Sequence, residues 1–289
     1  MDKNKVMEKP LVHILLPVHN RLASSKRFIN CLLAQTYTNY HLILIDDGST
    51  DGSQEYVKGN VKSLTVIVGQ GDWWWGGGLH QGYLWLKHSA VAGEDIVLMI
   101  NNDTEFDLGF LQTAVDFLVG KSKTLLLAQA YSKQNGSLVD AGVYADWKEC
   151  TFEQAREGKD INCFSTRGLF LRVRDFLDIG GFHPVLLPHY GSDYEFTIRA
   201  YRKGYDLVSC TDLSLRMDEE ATGYHIFGKD LGLGDFLRRY FSKRSAANPI
   251  YWFSFVLLAC PWPWKAVNLI KVAAGAAATI LKRVLRIGK

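Results

Sequence analysis

The sequence predicts an α/β fold in which a mostly parallel sheet is flanked by helices. A short apolar run at residues 11–16 ends at Pro17, and a second run at 40–45 ends at Asp46. Between them, residues 24–35 place apolar side chains at helical spacing. A strand, a helix and a strand in this order form a βαβ unit, which implies parallel strands joined by a right-handed crossover.

The same alternation continues along the chain. Residues 64–68 and 96–100 predict further strands, and residues 53–57 and 79–88 predict helices. Beyond these, the pattern predicts strands at 124–128 and 207–210, a helix at 193–203 and a loop over the site at 147–159.

Composition is typical of an intracellular globular protein. Hydrophobic residues make up 47% of the 289 residues, which is enough for a buried core. The five cysteines are scattered and include no C-x-x-C pair, so neither a disulfide framework nor a thiolate zinc site is expected. Because no apolar run of the signal-peptide type follows the first lysines, we expect a cytoplasmic protein.

Polar side chains follow three of the predicted strands at the point where each strand ends. They are His19, Asp46, Asp47, Asn101, Asn102 and Asp103. Open α/β sheets bind ligands beyond the carboxyl ends of their strands, so we expect these side chains at one edge. Asp46 and Asp47 suit hydrogen bonds from a base or a ribose, and Asp103 suits a metal beside a diphosphate. The alternative for both segments is an ordinary polar turn.

Three tryptophans run directly into three glycines at residues 73–78. Glycines before a helix permit close approach of the backbone to a diphosphate, and a helix N-terminus attracts anions. We therefore predict that Gly76 and Gly77 contact such a group and that Trp75 lines the cleft. The alternative is that the tryptophans form a buried aromatic plug.

A second acidic candidate is Asp193, at the start of the helix predicted for residues 193–203. The helix macrodipole keeps a carboxylate ionised at this position. An ionised carboxylate can accept the proton of an attacking alcohol, so Asp193 is a candidate general base. The alternative is that Ser192 or Asp193 only caps the helix.

Taken in this order, the segments resemble the inverting glycosyltransferases of family 2, which have the GT-A fold. The resemblance covers residues 12–225 and is greatest to a bacterial branch that includes rhamnosyltransferases of surface-polysaccharide and O-antigen assembly. It rests on four segments, residues 73–83, 101–104, 165–168 and 187–196. The resemblance implies a dTDP- or UDP-linked sugar donor, a saccharide acceptor, and Mg²⁺ or Mn²⁺ as cofactor.

On the donor side, the resemblance implies contacts from residues that follow the first two strands. These residues are Pro17, His19, Asp46 and Asp47. Asn101 and Asn102 belong to the Asn-Asn-Asp-Thr tetrad of the same site. Arg167 would assist at the diphosphate or at an anionic acceptor, although an interior ion pair with Glu195 is an equally simple interpretation.

For the metal and the base, the resemblance implies three further roles. Asp103 matches the metal-holding aspartate, while Asn101 stands where the family often has another acidic residue. His225 stands where the family frequently has a histidine near the metal. Asp193 matches the base, and Ser192 replaces the glutamate that usually precedes it. The implied reaction is a single displacement with inversion at the anomeric carbon.

The chain also divides by charge. Residues 226–289 contain eleven Lys or Arg and two Asp or Glu, which leaves residues 1–225 with a net charge of about −6. We therefore predict a catalytic domain at 1–225 and a basic, apolar helical region at 226–289. The apolar run at 250–260 is too short to span a membrane.

Residues 266–287 combine apolar residues with spaced cations and follow two tryptophans, which predicts peripheral attachment to the inner face of the cell membrane. Such attachment suits a lipid-linked saccharide acceptor. The alternative is a helical pair packed on the domain or on a second copy of the chain in a homo-oligomer. Nucleic acid is not an expected partner, because apolar residues interrupt the basic ones.

Two other classes of protein remain open from the sequence. A non-catalytic sugar or nucleotide binder with the same fold is suggested by Asn101 and Ser192, which replace acidic residues. A nicotinamide-dependent oxidoreductase also uses βαβ units. That class needs glycines directly after the first strand, where this sequence has Pro17, Val18 and His19 instead.

Overall fold

The computed structural model describes residues 9–155, 161–218 and 232–287. Strands and helices alternate through the first part of the chain. Their bounds are β1 (Val12–Val18), α1 (Leu22–Leu33), β2 (Tyr40–Asp46), α2 (Ser53–Asn60), β3 (Leu64–Val68), α3 (Trp74–His88), β4 (Ile96–Met99), β5 (Thr104–Phe106), α4 (Phe110–Leu118) and β6 (Thr124–Ser132). The later elements are β7 (Leu138–Asp140), β8 (Val143–Asp146), β9 (Thr151–Gln154), β10 (Leu169–Arg172), α5 (Val173–Ile179), α6 (Ser192–Arg202), β11 (Asp206–Met217), α7 (Leu233–Tyr240), α8 (Pro249–Ala259) and α9 (Trp262–Ile287).

Within the described residues, nine strands form one sheet whose main order is β3-β2-β1-β4-β10-β6-β11-β5, with β7 paired to β6. The β3-β2-β1-β4 half is parallel, as the βαβ pattern predicts. β10 lies antiparallel between β4 and β6, and β5 lies antiparallel on β11. The α/β fold class is therefore confirmed, and antiparallel β5, β7 and β10 add to the parallel strands to make the sheet mixed. A β10 strand parallel to its neighbours would need a crossover connection. Strand β10 instead runs in the opposite direction to both β4 and β6.

Two predicted boundaries are wrong in ways that affect the site. Helix α3 begins at Trp74 rather than at residue 79, so the three glycines lie inside the helix instead of before it. The loop predicted at 147–159 contains β9, which pairs antiparallel with β8 as a small separate sheet. Residues 156–160 of that segment lie outside the described part of the chain.

The sheet is covered on both faces by apolar clusters. One cluster packs α1 and α4 against it, with Phe28 and Leu111 fully buried. The other packs α3, α5 and α6 on the opposite face, with Phe176 and Phe196 fully buried. This three-layer arrangement fixes the carboxyl ends of β1, β2 and β4 at one edge of the sheet.

A third cluster joins α8 to the β8–β9 hairpin. Phe255 packs on Trp147 and Phe152, with ring centroids 5.6 and 5.5 Å apart, and Val256 is fully buried. α8 is therefore part of the folded body rather than of a detached tail. The predicted domain boundary at residue 225 falls within 219–231, outside the described residues.

Helix α9 follows α8 and is exposed over most of its length. Its first half is attached to the body through Asn268, which is buried and donates a hydrogen bond to the Trp147 carbonyl at 2.8 Å. By length and composition, Trp262–Leu285 meets the criteria for a helix able to cross a membrane, with a mean hydropathy of 1.2. The core helix of a soluble protein can meet the same criteria, but little of α9 is buried.

Candidate active site

A cavity of about 850 Å³ opens at the carboxyl ends of β1, β2 and β4. Several predicted residues line it together, although they are far apart in sequence. They are Pro17, His19, Asp47, Trp75, Asn101, Asn102, Asp103, Arg167 and Asp193. Asp46, Gly76 and Gly77 do not belong to this lining, and His225 lies in the 219–231 segment outside the described residues.

Asp47 organises the loop that precedes α3. The backbone N–H groups of Gly71 and Asp72 donate to its Oδ1 at 2.8 and 3.1 Å. Those of Trp73 and Trp74 donate to its Oδ2 at 2.9 and 3.1 Å. A carboxylate has about four acceptor positions, so these four bonds satisfy it. Asp47 thus lines the cavity mainly as the residue that holds this loop in place.

Asp46 has a different role from the predicted donor contact. Its carboxylate is buried and accepts hydrogen bonds from the Ser49 backbone N–H at 2.9 Å and from Gln54 Nε2 at 3.0 Å. These partners belong to the turn between β2 and α2 and to α2 itself. The structure therefore places Asp46 in the turn that the sequence left open as an alternative.

Gly76 and Gly77 approach protein rather than the cavity, which corrects the diphosphate contact predicted for these two residues. A Cβ atom at Gly76 would lie 2.6 Å from the Leu187 carbonyl oxygen and 2.8 Å from the Ser192 Cβ. A Cβ at Gly77 would lie 3.3 Å from that of Trp73. Gly76 also donates its N–H to the Pro188 carbonyl at 2.8 Å. The glycines therefore let α3 pack tightly against the start of α6.

Replacing Gly76 with alanine is expected to destabilise the protein by about 2 kcal/mol, because the new methyl group would overlap a backbone oxygen. Urea unfolding measures this change. The matched control is Gly59→Ala in α2, where an added Cβ meets no described atom within 4 Å. That control should be neutral or stabilising, since alanine favours helix. Equal stability of the two variants would contradict the packing role.

Asp103 is buried beside the cavity, and its Oδ1 has no hydrogen-bond partner among the described residues. Burial raises the pKa of its carboxyl group, while the positive charges of Arg167 and Arg21 oppose that rise. A carboxylate oxygen left without a partner in this position is suited to a cation. Among the described residues, no group of three His, Cys, Asp or Glu side chains could hold a metal ion.

Asp193 lies in the first turn of α6 and faces the same cavity. The helix N-cap is Gly191, with a φ of 77°, and no side-chain cap is present at this end. Capping by Ser192 or Asp193 is therefore ruled out. Ser192 instead donates its hydroxyl to the His189 carbonyl at 2.7 Å, while Asp193 Oδ1 accepts the Tyr194 N–H at 2.9 Å. Burial raises the pKa of Asp193 to about 6.

Arg167 lines the cavity and is not the partner of Glu195. Glu195 instead makes a two-point ion pair with Arg199, at 2.9 and 3.0 Å. The guanidinium charge of Arg167 lowers the pKa values of both Asp103 and Asp193 against the effect of burial. Arg167 is thus electrostatically coupled to the two acidic candidates.

The cavity also contains residues that the sequence did not single out. They are Arg21, Asp140, Gln154, His189, Arg244, Ser245, Tyr251 and Trp252. Several of them come from the C-terminal part of the chain. No sequence motif marks these C-terminal residues, because their position depends on the packing of α8 against the β8–β9 hairpin.

A mixed sheet of this order, with Asp103 and Asp193 from different segments in one cleft, is the arrangement expected of a GT-A glycosyltransferase. The sequence profile of glycosyl transferase family 2 matches residues 13–180, which is more than half of the chain. The chain belongs to this family. This membership excludes the nicotinamide-dependent oxidoreductase.

Individual relatives agree with this assignment. An uncharacterized glycosyltransferase from Haemophilus influenzae is 47% identical over 51 residues, which span 18% of this chain and only 20% of that protein. A Pyrobaculum calidifontis mannosyltransferase solved with GDP-Man and Mn²⁺ has a TM-score of 0.55 and 15% identity, covering 94% of this chain and 76% of that one. S. aureus TarS with UDP-GlcNAc has a TM-score of 0.55 and 21% identity, covering 91% and 71%. These two structures share the fold.

Proposed function

We propose that the protein transfers a sugar, with inversion, from a nucleoside-diphosphate sugar to a hydroxyl group of a saccharide acceptor. The observation that carries this proposal is that Asp103 and Asp193 open into one cavity. One carboxylate has an oxygen without a protein partner, and the other has a pKa of about 6. These are the properties expected of a cation ligand and of a general base.

On the donor side, Asp103 would hold a Mg²⁺ or Mn²⁺ ion. Such ions are often bound by one or two carboxylates together with substrate phosphates, so a single carboxylate fits. A bound ion would stabilise the negative charge that grows on the leaving diphosphate. Structural neighbours solved with GDP-Man, with UDP-GlcNAc and with Mn²⁺ support this assignment. We propose a dTDP- or UDP-linked hexose or deoxyhexose, such as rhamnose, as the donor.

On the acceptor side, Asp193 accepts the proton of the attacking hydroxyl as that oxygen bonds to the anomeric carbon. The bond from this carbon to the diphosphate breaks on the opposite face, which inverts the configuration. Positioning the two substrates in line is the main contribution of the protein. Arg167, whose charge acts on both carboxylates, stabilises the negative charge that develops on the leaving diphosphate.

The rate of transfer is expected to depend on pH through Asp193. The base acts only when ionised, and the pKa of Asp193 is raised to about 6. At saturating donor, kcat/KM for the acceptor should therefore fall about tenfold per pH unit below pH 6 and level off above pH 7. A profile that is flat from pH 5 to pH 8 would contradict this role.

The acceptor proposed here is lipid-linked, in the assembly of a cell-surface polysaccharide, and the protein is proposed to bind the cytoplasmic face of the cell membrane. The support is α9, whose Ile270, Leu281 and Leu285 side chains are 68%, 57% and 64% exposed. Lys282 directly follows Leu281 and lies three positions before Leu285 in the sequence. Apolar surface combined with cations is the mixture that binds an anionic bilayer.

Glutamate substitutions at Ile270, Leu281 and Leu285 are expected to abolish binding to vesicles that contain phosphatidylglycerol, as measured by cosedimentation. The control is Leu33→Glu, an exposed leucine on α1. Truncation before α8 is unsuitable, because it would remove buried core residues such as Val256. Cosedimentation of the triple variant equal to that of the control would refute membrane attachment. Concentration-dependent dissociation of an oligomer in the same variant would favour packing on a second copy.

A second candidate function is a non-catalytic binder, favoured by Asn101 and Ser192 in place of acidic residues. Two measurements distinguish the transferase from the binder. One is a thermal-shift panel of nucleoside-diphosphate sugars with and without Mn²⁺, and the other is an assay of donor hydrolysis. The transferase is expected to be stabilised by one donor and to hydrolyse it slowly without acceptor. Stabilisation with no hydrolysis and no transfer to any saccharide would establish the binder.

A further inference from the structure

The loop between α7 and α8 brings C-terminal residues to the cavity. Arg244, Ser245 and Ala246 all line it. The loop is held by Asn248, whose Nδ2 donates to the Ser242 carbonyl at 3.1 Å, and by Trp252, whose Nε1 donates to the Ala246 carbonyl at 2.9 Å. These bonds connect the loop to the start of α8, so its position is fixed by the packing of that helix.

Trp74 connects this loop to the N-terminal side of the cavity. Its ring lies 5.5 Å from the Arg244 guanidinium carbon and 5.5 Å from the His189 ring. Its backbone has a φ of 60°, although it is a bulky residue, and its N–H donates to Asp47. Such a conformation costs about 1–3 kcal/mol and occurs mainly at functional sites. The strained backbone places an indole ring where it can support the guanidinium through a cation–π contact.

Ser245 provides a second and independent sign of a ligand. Its side chain is 1% exposed, its Oγ has no hydrogen-bond partner among the described residues, and the residue lines the cavity. A buried hydroxyl without a partner is costly. A bound oxyanion would supply the missing acceptor for this hydroxyl.

The cavity already contains other positive charges. Arg167 and Arg21 both act electrostatically on Asp103, and Arg244 adds a third guanidinium group at the mouth. Guanidinium and hydroxyl donors together are well matched to phosphate oxygens. Because Trp74, whose ring supports Arg244, begins α3 and donates its N–H to Asp47, this guanidinium lies on the same side of the cavity as Asp47.

We propose that Arg244 and Ser245 bind the diphosphate of the nucleotide sugar, which makes the α7–α8 loop part of the donor site. The proposal rests on the proposed function, since it specifies how that site holds its donor. It also assigns a role to the basic C-terminal segment that membrane binding does not explain. Arg244 and Ser245 act as binding residues, and Trp74 acts as a positioning residue.

Isothermal titration of the full-length protein with UDP, GDP and inorganic pyrophosphate tests this proposal. Arg244→Ala is expected to weaken binding of the tightest of these probes about tenfold or more. Ser245→Ala is expected to weaken it about threefold. Both variants lose hydrogen bonds to a charged group. Arg244→Lys should recover part of the affinity, because it keeps the charge without the planar fork. The control is Lys243→Ala, an exposed neighbour that does not line the cavity and should change binding less than about twofold.

Three outcomes distinguish a failure of this proposal from a failure of the proposed function. If wild type binds these probes and Arg244→Ala binds them as Lys243→Ala does, the proposal for Arg244 is overturned while the proposed function stands. If Arg244→Ala keeps its affinity for UDP and GDP but loses transfer, the arginine contacts the acceptor and the donor assignment is overturned. If wild type binds no nucleotide and no pyrophosphate, the donor site itself is refuted. Unchanged thermal unfolding in each variant excludes a general loss of structure.

Discussion

Replacing Asp193 with asparagine is expected to lower kcat about 10³-fold while leaving the affinity for the donor within about twofold. Asparagine keeps the size of the side chain but cannot accept the acceptor's proton. The side chain lines the cavity, and the amide oxygen of asparagine can still accept the Tyr194 N–H, so we expect little structural consequence. Steady-state kinetics and donor titration on the same preparation measure the two quantities.

The control for Asp193 is its neighbour Ser192, whose hydroxyl bonds to the His189 carbonyl. Ser192→Ala should change kcat less than about fivefold, because a neutral hydrogen bond contributes about 1 kcal/mol. Loss of donor binding together with activity in Asp193→Asn would indicate a structural role. An active Asp193→Asn enzyme would require another base, and Asp140, which lines the cavity and acts electrostatically on Asp193, is the next candidate to test.

Replacing Asp103 with asparagine is expected to lower kcat/KM by about 10²-fold or more and to remove the effect of Mn²⁺ on donor binding. The amide keeps the shape of the carboxyl group but is a poor ligand for a divalent cation. Titration of the donor with and without Mn²⁺ reports this loss independently of turnover.

The control for Asp103 is Asp107→Asn, a few residues along the same segment. Asp107 is exposed and pairs with Arg216 at 3.1 Å, away from the cavity. The Asp107→Asn variant should have the wild-type kcat/KM and the wild-type effect of Mn²⁺ on donor binding. If Asp103→Asn responds to Mn²⁺ as wild type does, another residue binds the metal. His225, which lies outside the described residues, would then be the next ligand to test.

The half of the fold that forms the proposed donor site could be predicted from the sequence. Parallel strands end at one edge, so polar residues after β1, β2 and β4 must lie together there. His19, Asp47 and Asp103 meet in the cavity for this reason. Asp193 could also be named as a candidate from the sequence, because a carboxylate in the first turn of a helix is a local feature.

The remaining features depend on contacts between distant segments. The predicted diphosphate contact of Gly76 and Gly77 is wrong because a glycine run permits close approach to protein as well as to a ligand. Only the packing of α3 on the start of α6 distinguishes them. Likewise, nothing near Arg244 in the sequence indicates that α8 will bring it onto Trp74, 170 positions earlier in the chain. Antiparallel β10 has no signal of its own, because a short buried strand looks alike in either direction.

The most direct test of the central claim is a crystal structure of Asp193→Asn with Mn²⁺ and the nucleotide sugar selected by the thermal-shift panel. We expect the diphosphate and the metal beside Asp103, with the anomeric carbon of the sugar turned towards residue 193. A donor bound with its diphosphate away from Asp103, or with residue 193 shielded from the sugar, would contradict the assignment of these two carboxylates to one reaction.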